Sequence, residues 1–152
     1  MQKVKKSFIV IPITLVSIII CFSVVIYFFN SFIKINHVPR KFGATYMTMD
    51  NPYFNVLNSA IEEVVESNGD ILITRDPAQN QQKQNEQILD MLNMGVEFIF
   101  INPVDVDKIS PALEICHERN VPFIVVDTNI ANSKLAVSVI QSDNYDAGCQ
   151  IG

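Results

Sequence analysis

Short apolar runs that alternate with amphipathic helical patterns constrain the fold of this chain more than any other feature. Two of the runs, 98–101 and 121–126, contain no charged residue, and strands that are apolar along their whole length are typical of sheets buried on both faces. Single helical patterns separate the runs, and such connections join parallel strands through right-handed crossovers. The chain is therefore predicted to be an α/β protein with a doubly wound parallel sheet.

The individual elements follow from the same periodicities. Apolar residues recur at helical spacing after Pro52, and Asn68-Gly69 supplies a helix stop. The polar stretch 79–87 is predicted to form the solvated first half of a second helix, which ends at Gly95. The predicted strands are 42–48, 71–74, 98–101, 121–126 and 136–140.

The last elements of the chain are less regular. Asp107 is predicted to cap a third helix, with Leu113 and Cys116 on its apolar face. The segment 142–148 begins like another helix, but the sequence stops at Gly152 without a cap. We therefore interpret the sequence as a fragment of a longer protein.

A longer apolar run occupies the N-terminal part of the chain. Residues 8–29 include 22 positions without a charge, which as a helix would measure about 33 Å and cross the hydrocarbon core of a bilayer. A basic flank precedes the run, and no small-residue cleavage site follows it. The sequence predicts a cytoplasmic flank at 1–7, an uncleaved transmembrane signal anchor at 8–29, a linker at 30–41 and a folded lobe at 42–152.

Charge is distributed unevenly along the chain. Six basic and no acidic residues occur up to Lys41, whereas five basic and all sixteen acidic residues follow. Such asymmetry indicates two physical environments. The acidic part argues against a nucleic-acid partner, because phosphate binding needs a basic face, and its apolar runs exclude intrinsic disorder.

Polar residues follow every predicted strand. In an open parallel sheet, ligands bind beyond the carboxyl ends of the strands. The loop 49–54 combines a carboxylate, an amide and two adjacent aromatic rings. The other polar residues after strands are Asp76, Asn102, Asp105, Asp127, Thr128, Asn129, Asp143 and Asn144. Carboxylates and amides suit the hydroxyls of a polyhydroxylated ligand, and an aromatic ring suits its C–H face, so the sequence predicts a cleft for such a molecule.

These side chains also have a purely structural interpretation. Asx residues after strands commonly cap helices or form turns. This alternative applies to Asp50, Asp76, Asp105, Asp107 and Asp143. Phe54 continues the apolar stripe of the first helix, which leaves Tyr53 as the exposed stacking surface. Asp127 is distinct because no periodic helix follows for it to cap.

The sequence contains no recognisable catalytic constellation. His117 and Glu114 form an i, i+3 pair that is predicted to lie on a solvated helix face. There is no Gly-rich phosphate loop, metal-binding cysteine pair or nucleophile elbow. Three cysteines are too few for a disulfide framework, and Cys116 is interpreted as a buried small apolar residue. We therefore predict that the chain is not an enzyme and uses no metal or cofactor.

Four motifs resemble a known family. DNPYF at 50–54, INPVDVD at 101–107, VPFIVVD at 121–127 and SDNYDAG at 142–148 are similar, in order and spacing, to the first lobe of ribose-type periplasmic sugar-binding proteins of ABC importers. The resemblance implies a type I periplasmic binding protein fold that lacks its second lobe. It also implies a location outside the cytoplasm.

The same resemblance implies roles for five residues. Asn51 would hydrogen-bond sugar hydroxyls, and Tyr53 and Phe54 would hold a pyranose, Tyr53 by stacking. Asp127 would accept hydrogen bonds from hydroxyls. Thr128 stands where ribose-type members carry an arginine, so the resemblance implies sugar binding without the ribose-type grip on the ring oxygen.

Three functions follow as alternatives. The first is the sugar-binding component of an ABC importer, tethered to the membrane by the anchor and partnered with the importer's permease. The second is the sensor region of a membrane receptor such as a histidine kinase, in which a second apolar span and a signalling module come after the domain. The third is binding of a small polar ligand that is not a sugar, such as an autoinducer.

Overall fold

The chain divides into two compact units, Met1–Val38 and Pro39–Gly152. The computed structural model describes residues 15–31 and 38–141. In the first unit, residues 15–31 form helix α1, along which Phe22, Cys21 and other side chains are exposed. Among the residues described, no helix combines the length and the apolar character that a bilayer span requires. The flank 1–7 and the first part of the predicted anchor 8–29 lie outside the described residues, so the anchor stays a prediction.

Five parallel strands form the sheet of the second unit, in the order β2-β1-β3-β4-β5. They are β1 (Lys41–Thr45), β2 (Ile71–Arg75), β3 (Phe98–Ile101), β4 (Phe123–Val126) and β5 (Ser138–Ile140). On the inner strand β1, Ala44 lies between Thr74 of β2 and Phe100 of β3. This arrangement confirms the predicted parallel sheet, and β3 has the predicted bounds.

Three strands are shorter than predicted, each for a local reason. The ladder of β1 stops at Thr45, and residues 46–51 form a loop instead of continuing the strand to 48. The N–H of Val121 donates to the carbonyl of Cys116 at 2.9 Å, so it closes the preceding helix and β4 begins later. A short 3-10 helix, Ser133–Leu135, takes up the chain before β5.

The two faces of the sheet pack against different helices. These helices are α2 (Pro52–Ser67), α3 (Gln81–Asn93) and α4 (Ser110–Glu118). Along β3 the side chains alternate: Ile99 and Ile101 are buried in one cluster with Met91 of α3 and Leu113 of α4. Phe100 packs into a second cluster that contains Phe54 of α2. Helices on both faces confirm the doubly wound α/β class.

Asx caps and a glycine set the limits of α2 and α3. The side chain of Asn51 accepts the N–H of Tyr53 at the start of α2, and that of Asn80 accepts the N–H of Lys83 at the start of α3, both at 3.0 Å. Gly69 has a φ of +80° just after α2, a conformation that glycine adopts without steric cost. The predicted helix stop at this position is confirmed.

The cap predicted at Asp107 is wrong, and Asp105 takes the corresponding role. One oxygen of Asp105 accepts the N–H groups of Asp107 at 3.1 Å and Lys108 at 3.2 Å. Its other oxygen pairs with the Lys108 ammonium at 2.8 Å. These contacts stabilise a turn that ends at Ile109, so α4 begins later than the predicted cap allows.

Replacing Asp105 with alanine is expected to destabilise the fold more than replacing Asp107 with alanine does. The hydrogen bonds from Lys108 and the N–H of Asp107 hold the pKa of Asp105 below its ordinary value. Its contribution is therefore complete above the pKa of an unfolded aspartate and disappears as pH falls through the lowered pKa. Urea unfolding followed by circular dichroism should show the difference between the variants at pH 7 and its loss near pH 2. Equal midpoints at pH 7 would contradict this assignment.

Candidate functional site

The carboxyl ends of the five strands lie along one edge of the sheet, where ligands bind in folds of this class. The loop 46–51 leaves β1 at this edge, and Asp127 directly follows β4. Because β1 and β4 are separated by one strand, β3, the structure brings these two parts of the predicted site to the same region. The predicted polar residues Asp143 and Asn144 lie outside the described residues.

Asn51 occupies the turn from this edge into α2 and is exposed. Its Oδ1 atom accepts the N–H of Tyr53, so the carbonyl oxygen of the amide serves as the helix cap. The loop before it is also held by side chains, since Asn55 Nδ2 donates to the carbonyl of Met49 at 2.9 Å and the N–H of Asp50 donates to Thr48 Oγ1 at 3.2 Å. Asn51 therefore caps α2, a role that was not predicted for it, and its predicted contact with sugar hydroxyls stays a prediction.

Tyr53 and Phe54 have opposite environments although they are adjacent in sequence. The side chain of Tyr53 is 47% exposed and that of Phe54 is 2% exposed. Phe54 stacks on Tyr46 with ring centroids 5.4 Å apart, and it meets the ring of Tyr53 edge to face at 5.2 Å. Phe54 thus supports Tyr53 from the core, while Tyr53 presents a ring to solvent.

Asp127 and Thr128 follow β4 in an unusual backbone conformation. Asp127 has a φ of +64°, in the left-handed region. Its N–H donates to the carbonyl of Ile140 at 2.8 Å, which ties the turn to the neighbouring strand β5. Both side chains are half-buried. The main chain at Asp127 is therefore held in place at the edge of the sheet.

A cavity of about 220 Å³ connects the two parts of the site. Tyr53 and Asp127 both line it, and most of its remaining wall is apolar. The lining residues are Tyr53, Leu57, Ile61, Phe100, Val126, Asp127, Ile140 and Gln141. Asn51, Phe54 and Thr128 do not line this cavity. Its lining combines two aromatic residues, Tyr53 and Phe100, with one acidic residue, Asp127, and apolar side chains. Aromatic rings and carboxylates are groups that bind the C–H face and the hydroxyls of a polar ligand.

Burial changes the acidity of one group behind this site. Tyr46 is fully buried beneath Phe54, and burial raises the pKa of its hydroxyl far above the ordinary range. Tyr46 is therefore neutral at physiological pH and cannot act there as a general base. Among the residues that the structure describes, no group of three His, Cys, Asp or Glu side chains is arranged to hold a metal ion.

Gln84 falls in the stretch 79–87 that is predicted to be solvated, and for this residue the prediction is wrong. Gln84 is fully buried. Its Nε2 atom donates to the carbonyl of Asn102, which directly follows β3, at 2.9 Å. Helical spacing could have revealed it, because Gln84 lies four and seven residues before the buried Ile88 and Met91.

Comparison with known proteins agrees with the fold. The sequence profile described as periplasmic binding protein domain matches residues 42–152. The ribose import binding protein of Bacillus subtilis (strain 168) is 30% identical over 106 residues, which cover 70% of this chain and 34% of that protein. The chain thus spans about a third of the length of this curated relative.

Solved structures show the same fold. An ABC transporter solute binding protein from Mycobacterium smegmatis, with bound glycerol, superposes with a TM-score of 0.65 at 26% identity, covering 70% of this chain and 36% of the other. The fructose binding periplasmic domain of a hybrid two component system gives a TM-score of 0.64 at 22% identity, covering 74% and 37%. With most of its folded unit matched in sequence and in structure, the chain belongs to the periplasmic binding protein family and is similar to its ribose-type members.

Proposed function

We propose that this lobe binds a sugar outside the cytoplasm as the first of two lobes of an ABC importer's solute-binding protein. The observation that carries the proposal is the cavity lined by both Asp127 and Tyr53, whose ring is partly exposed. A sugar ring offers an apolar C–H face to the aromatic ring and hydroxyl donors to the carboxylate. The relationship to a ribose import binding protein supports the same assignment.

The remaining predicted residues take secondary roles in this proposal. Asn51 lies at the N-terminus of α2, where its side-chain carbonyl oxygen caps the helix. Its amide NH2 group would donate hydrogen bonds to ligand hydroxyls. Thr128 offers a short hydroxyl where ribose-type members carry an arginine. This difference favours a ligand that makes fewer charge-assisted hydrogen bonds than ribose makes in those members. Phe54 keeps Tyr53 in position from the core. A second lobe would close over the ligand by a hinge motion.

The proposed location follows from the proposed role. A solute-binding protein captures its ligand outside the cytoplasm and delivers it to a permease, so a tether at 8–29 would keep it near that partner. The apolar composition of this run supports such a tether. The permease and the membrane are thus the proposed partners beside the sugar.

A receptor is the second candidate, because the same fold occurs in the periplasmic domain of a hybrid two component system. Both candidates use the cavity in the same way, and they differ in the region C-terminal to the binding domain. The sequence of the gene beyond Gly152 separates them. A second apolar span and then a signalling module would favour the receptor over the importer.

Thermal unfolding with a panel of mono- and disaccharides tests the proposal on the protein in the full length that its gene encodes. A ligand at about one hundred times its Kd stabilises the native state by about 2.7 kcal/mol and raises the unfolding midpoint. Asp127→Asn keeps the size of the side chain and its tolerance of the left-handed backbone, but it removes the charge. We expect it to weaken sugar binding by about 10- to 100-fold, the value of a hydrogen bond to a charged acceptor.

The matched control is Asp90→Asn, which removes an exposed carboxylate from α3. This variant should bind the sugar with the affinity of the unaltered protein. Calorimetric titration of the three proteins gives the comparison directly. If no sugar shifts the midpoint, the assignment of the ligand class fails; if Asp127→Asn binds normally, the role of the carboxylate fails.

A further inference from the structure

The regular hydrogen-bond ladder of the sheet stops just before the candidate site. The register of β1 with β3 ends at the pair Thr45 and Ile101, and the register of β3 with β4 ends at Ile101 and Val125. The N–H of Asn102 still donates to the carbonyl of Thr45 at 2.8 Å. The segments that lead to Tyr53 and Asp127 both lie beyond this limit, so the backbone ladder alone does not fix their separation.

The side chain of Asn102 continues the ladder past this limit. Its Oδ1 atom accepts the N–H of Met47 at 3.2 Å, and its Nδ2 atom donates to the carbonyl of Val126 at 2.9 Å. Met47 lies in the loop that leads to α2, and Val126 directly precedes Asp127. One amide, 2% exposed, therefore joins the ends of three adjacent strands.

Gln84 of α3 supports Asn102 through hydrogen bonds. Its Nε2 atom donates to the carbonyl of Asn102 and, at 3.2 Å, to Thr45 Oγ1. Its Oε1 atom accepts the N–H of Val104 at 2.9 Å. A buried polar network in which each amide has its partners is rigid, because any displacement leaves a buried group without a hydrogen bond.

We propose that Asn102, backed by Gln84, is a positioning residue that sets the separation between the loop leading to Tyr53 and the turn carrying Asp127. Its effect on the ligand rests on the proposed function, but its effect on the two strand ends does not. Removing a side chain that merely stabilises the fold would loosen the whole lobe evenly. Removing a side chain that positions the two strand ends would loosen those ends more than the core.

Amide hydrogen exchange distinguishes these two roles in this chain. In Asn102→Ala and Asn102→Asp, which both remove the donor to Val126, we expect exchange of the Asp127 N–H to accelerate by about tenfold beyond the acceleration of core amides in α3. The Asp127 N–H itself bonds to Ile140 and not to Asn102, so its exchange reports the loosened turn. Exchange that rises equally at Asp127 and in the core would overturn the proposal.

Asn58→Ala is the matched control. Asn58 is also a buried asparagine, and it accepts a hydrogen bond from Thr74 Oγ1 at 2.7 Å between α2 and β2. Its loss should accelerate exchange at Asp127 by no more than in the core. If the Asn102 variants do not fold, Gln84→Met removes the supporting hydrogen bonds at nearly constant volume, and the same comparison at Asp127 decides.

Sugar titration of the full-length protein forms a separate arm of the experiment. The Asn102 variants should bind about tenfold more weakly, and Asn58→Ala should bind normally after correction for stability. If the unaltered protein binds no sugar, the proposed function fails while the exchange experiment still decides the positioning role. Normal sugar affinity in the Asn102 variants would show that the positioning role of Asn102 does not affect ligand binding.

Discussion

Replacing Phe54 with alanine is expected to lower the free energy of unfolding by about 3–5 kcal/mol. The ring is 2% exposed and stacks on Tyr46, so its removal leaves a cavity between α2 and the sheet. Urea denaturation followed by far-ultraviolet circular dichroism measures the loss. Phe54→Leu keeps most of the apolar volume and should give a smaller loss, which preserves the test if the alanine variant does not fold.

The neighbouring residue provides the control. Tyr53→Ala removes a ring that is 47% exposed, and we expect it to cost less than about 1 kcal/mol of stability. The order should reverse for ligand binding, because Tyr53 lines the cavity and Phe54 does not. An equal loss of stability in the two alanine variants would show that Tyr53 belongs to the core and is not available for stacking.

Cys116 is expected to react about a thousandfold more slowly with iodoacetamide in the folded protein than in urea at pH 8. Burial in the cluster between α4 and the sheet raises the pKa of its thiol from 9.0 to about 12, so the reactive thiolate is correspondingly scarce. Mass spectrometry of peptides after timed labelling measures the rate at this cysteine. Labelling of the folded protein at the rate seen in urea would show that the thiol is accessible.

The same shift makes stability depend on alkaline pH. The unfolded thiol loses its proton above about pH 9 and the folded thiol only near pH 12, so the contribution of this group to stability falls as pH rises through that interval. Cys116→Ala should reduce this alkaline loss. Burial also raises the pKa of Tyr46, so part of the alkaline loss of stability should remain in Cys116→Ala.

The fold was largely predictable from sequence because its signals are local. The run that became β3 is apolar at every position, and the stop after α2 is marked by Asn68-Gly69. Both features depend on residues within a few positions of each other. The parallel pairing of the strands and the burial of both faces then followed from the alternation of strands and helices.

The candidate site was predictable in part. The exposed position of Tyr53 followed from helical spacing, because Phe54 already continued the apolar stripe. The burial of Gln84 was marked by its helical spacing to Ile88 and Met91, but the polar composition of the stretch concealed it. The bridging role of Asn102 did not follow, since Met47 and Val126 lie 24 or more residues away in sequence. Asp105, and not Asp107, accepts backbone N–H groups before α4. The turn that it stabilises leaves no mark in the helical periodicity of the sequence.

The backbone at Asp127 has a consequence for how this lobe could diverge. At a φ of +64°, glycine, asparagine and aspartate are accommodated with least strain, so few substitutions are tolerated at Asp127, which lines the cavity. Tyr53 and Thr128 do not adopt a left-handed conformation and can accept a wider range of side chains. Related proteins that bind other ligands are therefore expected to differ at positions 53 and 128, whereas position 127 should be restricted to aspartate, asparagine and glycine.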